Sequence, residues 1–69
     1  MIVKNEIIKR IRESQDLRRE LLYRMEWSEA TMYRLLRDNA ANGDLTKIAV
    51  LTIIAQFLQI EISEITEGD

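Results

Sequence analysis

The chain has no cysteine, no histidine and no proline, and only two glycines, Gly43 and Gly68, in 69 residues. Without cysteine there is no disulfide framework. Without cysteine or histidine there is no thiolate or imidazole metal site, so none is expected, and a reducing compartment is the natural setting. No Gly-rich phosphate loop and no nucleophile with a base partner occur. Carboxylates such as Glu61 and Glu64 fall on solvated helical faces, where nothing would turn one of them into an acid or base catalyst. An enzyme is therefore not expected, and no cofactor is implied. No apolar run approaches the roughly 18 residues of a membrane span, and Met1 to Glu6 lacks the charge-then-apolar order of a signal peptide. The cytoplasm is the expected location. With no proline and few glycines there is no visible linker, and no repeat is found, so residues 1–69 read as one domain.

Apolar residues make up 46 % of the chain and charged residues 32 %, a globular balance rather than a disordered one. A chain this short buries only about 60 % of its unfolded surface, which suits an all-α bundle of four to five short helices built on local contacts. The net charge is −2, but it is polarised: residues 9–37 carry +3 and residues 38–69 carry −5. Local field, not net charge, places a protein on phosphates. The competing reading of this polarity is a set of ordinary solvated helix faces.

The basic part holds the most informative stretch, Leu21 to Leu36. A first helix is expected over residues 4–13, with Asn5 as a cap and Ile7, Ile8 and Ile11 facing inward. Whether Ile2 and Val3 pack or add a strand is left open. Ser14-Gln15-Asp16 is a polar break in which Asp16 suits an N-cap, and a second helix follows to Met25. Its inward stripe is Leu17, Leu21 and Met25, with Leu22 beside it. Glu26-Trp27 is a tight turn in which a left-handed glutamate costs roughly 1–2 kcal/mol, and Trp27 plugs the helix junction. Ser28 caps a third helix whose Met32, Leu35 and Leu36 share one face. Its opposite face carries Glu29, Ala30, Tyr33, Arg34 and Arg37. Asp38 to Asp44 is a loop by composition. Thr46 is expected to cap a fourth helix over 47–58, with one stripe of Ile48, Leu51, Ile54 or Ala55, and Leu58, and a second of Val50, Ile53 and Phe57. Either this helix is central, packed on Ile7, Ile8 and Ile11, or its second stripe meets another copy of the chain. Ser63 caps a last short helix with Ile62 and Ile65 inward, and Glu61, Glu64, Glu67 and Asp69 form an acidic end.

Two segments resemble the lambda Cro/cI-type helix-turn-helix, also called the XRE family. Leu21-Leu22-Tyr23-Arg24-Met25-Glu26-Trp27-Ser28-Glu29-Ala30-Thr31-Met32-Tyr33-Arg34-Leu35-Leu36 is similar to that family's Leu-Ala-x-x-Leu-Gly-Val-Ser-x-x-Thr-Val-x-Arg-x-Leu. The serine, the threonine, the apolar residue after it and the arginine match. Ile53-Ile54-Ala55-Gln56-Phe57-Leu58-Gln59-Ile60 and Ser63-Glu64-Ile65 resemble the run that forms its fourth and fifth helices. Leu22 stands where alanine is usual, and Glu26 and Gln59 replace glycines. The resemblance implies a lambda repressor-like bundle with the helix-turn-helix over about residues 17–37. It also implies a transcriptional regulator bound to double-stranded DNA as a dimer. It further implies a phosphate held at the N–H of Leu17 with help from Arg18, beside Arg19. Base edges would be read from Ser28, Glu29, Ala30 and Arg34, with Thr31 and Tyr33 at the backbone or at thymine methyls; Arg37 would join Arg18, Arg19 and Arg34 in one positive surface if the helices bring them together. The alternative is a protein-interaction module on the same scaffold without DNA binding, for which Glu26, Glu29 and the Val50, Ile53, Phe57 stripe speak.

Overall fold

The structure, a computed structural model, describes residues 1–68; Asp69, part of the expected acidic end, lies outside the described residues. Four helices form an all-α bundle: α1 (Asn5–Glu13), α2 (Gln15–Met25), α3 (Glu29–Asp38) and α4 (Ile48–Leu58). Single 3-10 turns at Asp44–Thr46 and Ile62–Glu64 flank α4. Two short strands, β1 (Ile2–Val3) and β2 (Thr66–Glu67), pair antiparallel, with Ile2 opposite Glu67 and Val3 opposite Thr66. Of the two alternatives left open, both hold: Ile2 and Val3 form a strand and Val3 also packs in the core.

The core is aliphatic. Val3 from β1, Ile7, Ile8 and Ile11 from α1, Leu17 and Leu21 from α2, and Met32 and Leu36 from α3 meet Leu45, the inner face of α4 and Ile65. No polar or charged residue is buried among the described residues, so the core contains no desolvated group in need of a partner. Leu22, Met25, Trp27 and Leu35 pack half-buried against its edge, with Trp27 in the junction position expected of it.

Helix α4 is the central one and packs most closely on α2. Its buried residues are Val50, Leu51, Ile53 and Ile54, drawn from both apolar stripes. This corrects two expectations. Val50 and Ile53 are buried core residues of the bundle itself, whereas Ile48 is 69 % exposed rather than inward. The reason is angular. At 100° per residue one core direction bisects the two stripes, and Ile48 then points to the opposite side. Phe57 remains 43 % exposed because it sits at the open end of the helix, beside Arg10, Glu13 and Ser14.

Several caps differ from expectation. Helix α1 begins after Lys4, and Asn5 is its first residue and not its cap. Ser14, rather than Asp16, caps α2: its extended backbone lets Oγ accept from the N–H of Leu17 at 3.2 Å. Helix α2 therefore starts at Gln15, two residues before the expected Leu17. Thr46 belongs to a 3-10 turn, its hydroxyl donating to the Gly43 carbonyl at 2.7 Å, and Lys47 precedes α4 without a side-chain cap. The expected last helix is a single 3-10 turn whose Glu61 N–H donates to the Glu64 carboxylate at 2.8 Å, so Ser63 caps nothing. Ile65 is inward as expected and Ile62 half-buried.

Candidate nucleic-acid interface

Helices α2 and α3 are joined through Glu26, which adopts the left-handed conformation (φ 56, ψ 39) anticipated for it. The N–H groups of both Glu26 and Trp27 donate to the Leu22 carbonyl and close α2. Ser28 then caps α3, its Oγ accepting from the Thr31 N–H at 3.1 Å and donating to Thr31 Oγ1 at 3.0 Å. This double contact fixes the start of α3 and commits the Ser28 hydroxyl, which leaves Ser28 little capacity to read a base.

The buried Met32 and Leu36 lie one turn apart, so α3 turns Glu29, Ala30, Tyr33, Arg34 and Arg37 outward. The exposed face is the one expected from the sequence. Along it, Ala30 and Arg34 are four residues apart, as are Tyr33 and Arg37, so each pair stacks along the helix. Where the start of α3 meets the start of α2, a shallow cleft of about 140 Å³ is lined by Gln15, Arg18, Arg19, Leu22, Glu29, Met32 and Tyr33. Leu22, bulkier than the alanine of the resembling pattern, forms part of the cleft wall.

The cations on this face are not equivalent. Arg18 is anchored: its Nη1 donates to the Arg12 carbonyl at the end of α1 and, at 3.2 Å, to the Ile11 carbonyl, which also accepts from the Ser14 N–H. Its Nη2 and Nε stay available, so one guanidinium caps α1 and still faces the cleft. Arg37 pairs with the Asp38 carboxylate at 3.0 Å, but both side chains are mostly exposed and such a pair is easily exchanged for a phosphate. Among the described residues, Arg19 and Arg34 have no hydrogen-bond or ion-pair partner. The Leu17 N–H implied as a phosphate donor is occupied by Ser14. The amides ahead of it, at Gln15 and Asp16, precede the first intrahelical bond, from the Arg18 N–H to the Ser14 carbonyl.

The arrangement offers specific chemistry. Arg34 can present two parallel donors to guanine O6 and N7, and the Ala30 methyl can meet a thymine methyl. Glu29, at the first position of α3, is favoured by the positive end of the helix. It can only accept, which restricts its base partner to an amino group such as cytosine N4. Gln15 read in the sequence as part of a polar break, and only the earlier start of α2 brings it to the cleft.

Among the described residues no group of acidic side chains is arranged to hold a metal ion, and no helix is long and apolar enough to cross a membrane. No protein-family model, no curated protein and no solved structure matches the chain.

Proposed function

We propose that the chain is a sequence-specific DNA-binding regulator of the Cro/cI-like helix-turn-helix kind that sets α3 in the major groove. The observation that carries this reading is the meeting of the two helix starts. Arg19 and the anchored Arg18 stand at one wall of a cleft, Glu29 and Tyr33 at the other, and Arg34 lies unpaired along the same helix. A helix held by one buried row and exposing a reader, a phosphate contact and small residues on the other side has the shape that major-groove docking requires. Binding as a dimer to two half-sites about one helical turn apart is part of the proposal. Phe57 is the one member of the expected interface that is still exposed.

The test is binding of the purified chain to a mixed-sequence duplex at two salt concentrations. Affinity that falls steeply with salt is expected from phosphate contacts; no binding at the lower salt would refute the reading. The alternative of a protein-interaction module rested on the net charge of −2, on Glu26 and Glu29, and on the Val50, Ile53, Phe57 stripe, of which Val50 and Ile53 are in the core.

A further inference from the structure

Strand β1 has both of its edges occupied, and the two occupants differ in kind. On one edge it pairs with β2, and the Lys4 N–H donates to the Ile65 carbonyl at 2.8 Å. On the other there is no strand. Instead the carboxamide of Asn39 meets Val3 twice: Oδ1 accepts from the Val3 N–H at 3.2 Å and Nδ2 donates to the Val3 carbonyl at 2.7 Å. One position further along the same edge, the Asn42 N–H donates to the Met1 carbonyl at 2.8 Å. In a strand the N–H and C=O of one residue point to the same side. A primary amide offers one acceptor and one donor, as a facing peptide unit would. Asn39 therefore acts as a one-residue third strand.

The same residue terminates α3. Its backbone is left-handed (φ 41, ψ 51), and its N–H donates to the Leu35 carbonyl at 2.8 Å. Asparagine tolerates that conformation better than most residues. Backbone and side chain thus tie two distant parts of the molecule, the end of α3 and the terminal ribbon. Helix α3 needs such a tie. Its buried side chains Met32 and Leu36 form a single row flanked by the half-buried Leu35, so few contacts resist a roll of the helix about its axis. Asn39 lies off that row, about 60° round the helix from Leu36.

We infer that Asn39 is a positioning residue. Its carboxamide clamps the end of α3 to the ribbon and sets the roll of the helix, and with it the direction of Arg34 and Arg37. The consequence for DNA rests on the function proposed above; the clamp itself does not.

Asn39→Gly separates the two roles, since glycine keeps the left-handed backbone without strain and removes the carboxamide. At a temperature where both proteins are fully folded, amide exchange at Val3 and at Arg37 and Asp38 is expected to speed up by roughly tenfold or more, while Ile11 and Leu21 keep their protection. Affinity for a selected duplex is expected to fall by roughly tenfold, with mixed-sequence affinity held within about twofold, because a misdirected Arg34 loses base readout and not phosphate contact. Exchange confined to Val3, or equal losses on the two duplexes, would overturn the positioning role. If Asn39→Gly does not fold, Asn39→Asp is compared in the same way; it keeps the acceptor for the Val3 N–H and sets an oxygen against the Val3 carbonyl. If the unsubstituted chain binds no duplex, the DNA reading falls, and the exchange comparison alone decides the clamp.

Discussion

Glu26, Asn39 and Gln59 each end a helix with positive φ, at 56, 41 and 57 degrees. Glycine is the usual occupant of such a position. Glu26 is solvent-exposed, and among the described residues its carboxylate has no ion-pair partner to offset the conformation. Glu26→Gly is expected to raise stability by about 0.5–1 kcal/mol, the left-handed penalty less glycine's extra unfolded-state entropy. The check is a higher urea midpoint at unchanged m-value. This feature was legible in the sequence, because a tight turn flanked by two apolar periods leaves one residue to make the reversal. The contacts of Asn39 were not, because they join positions 36 residues apart and leave no local pattern. On the exposed face, Arg34→Ala is expected to relax base preference at one position by about 1–3 kcal/mol without altering the fold. Selection of preferred sites with both proteins would measure it, and an unchanged preference would remove Arg34 as the reader.

Among the elements, the helices were legible wherever one apolar stripe recurred every three or four residues, as with Ile7, Ile8 and Ile11 in α1. Helix ends were less so. A capping serine and a capping aspartate two residues apart are equivalent on paper, and only the extended conformation of Ser14 decides between them. The strands had no signal at all, since two residues are too few for any alternation. The α1–α2 corner also depends on a contact that periodicity cannot reveal. Arg18 bonds across the break to the Arg12 carbonyl, an acceptor that a helix end leaves open, and shares the Ile11 carbonyl with the Ser14 N–H. Arg18→Ala should lower stability by about 1.5–3 kcal/mol, the range of a hydrogen bond to a charged group. It should also weaken binding across all DNA sequences alike. Chemical denaturation measures the first effect, and an unchanged midpoint would mean that the carbonyl contacts contribute nothing.

For the whole molecule, the orientation of α4 was the least legible feature. A helix apolar nearly all round gives no direction to its own core, so the Val50 and Ile53 stripe fitted an interface as well as an interior. The fold turns both residues inward. Val50→Asp would bury an unpaired carboxylate in a small domain with only a few kcal/mol to spare, and loss of the helical circular dichroism signal is expected at 25 °C. Phe57→Asp lies on an exposed end and should leave that signal intact. A monomeric but folded Phe57 variant of a dimeric protein would identify Phe57 as an interface residue.

The ribbon places residue 2 against residue 67 and thereby encloses nearly the whole chain in one loop. Helices α1 to α4 are built from neighbouring segments and can condense early, whereas closing a loop of that length carries an added entropic cost. The ribbon is then expected to assemble last and open first, so that the buried Val3 and Ile65 gain amide protection after Ile11 and Leu21 in a pulse-labelling experiment. On this order the exposed face of α3 forms before β1 docks, and the Asn39 clamp proposed above engages only once Val3 is in place.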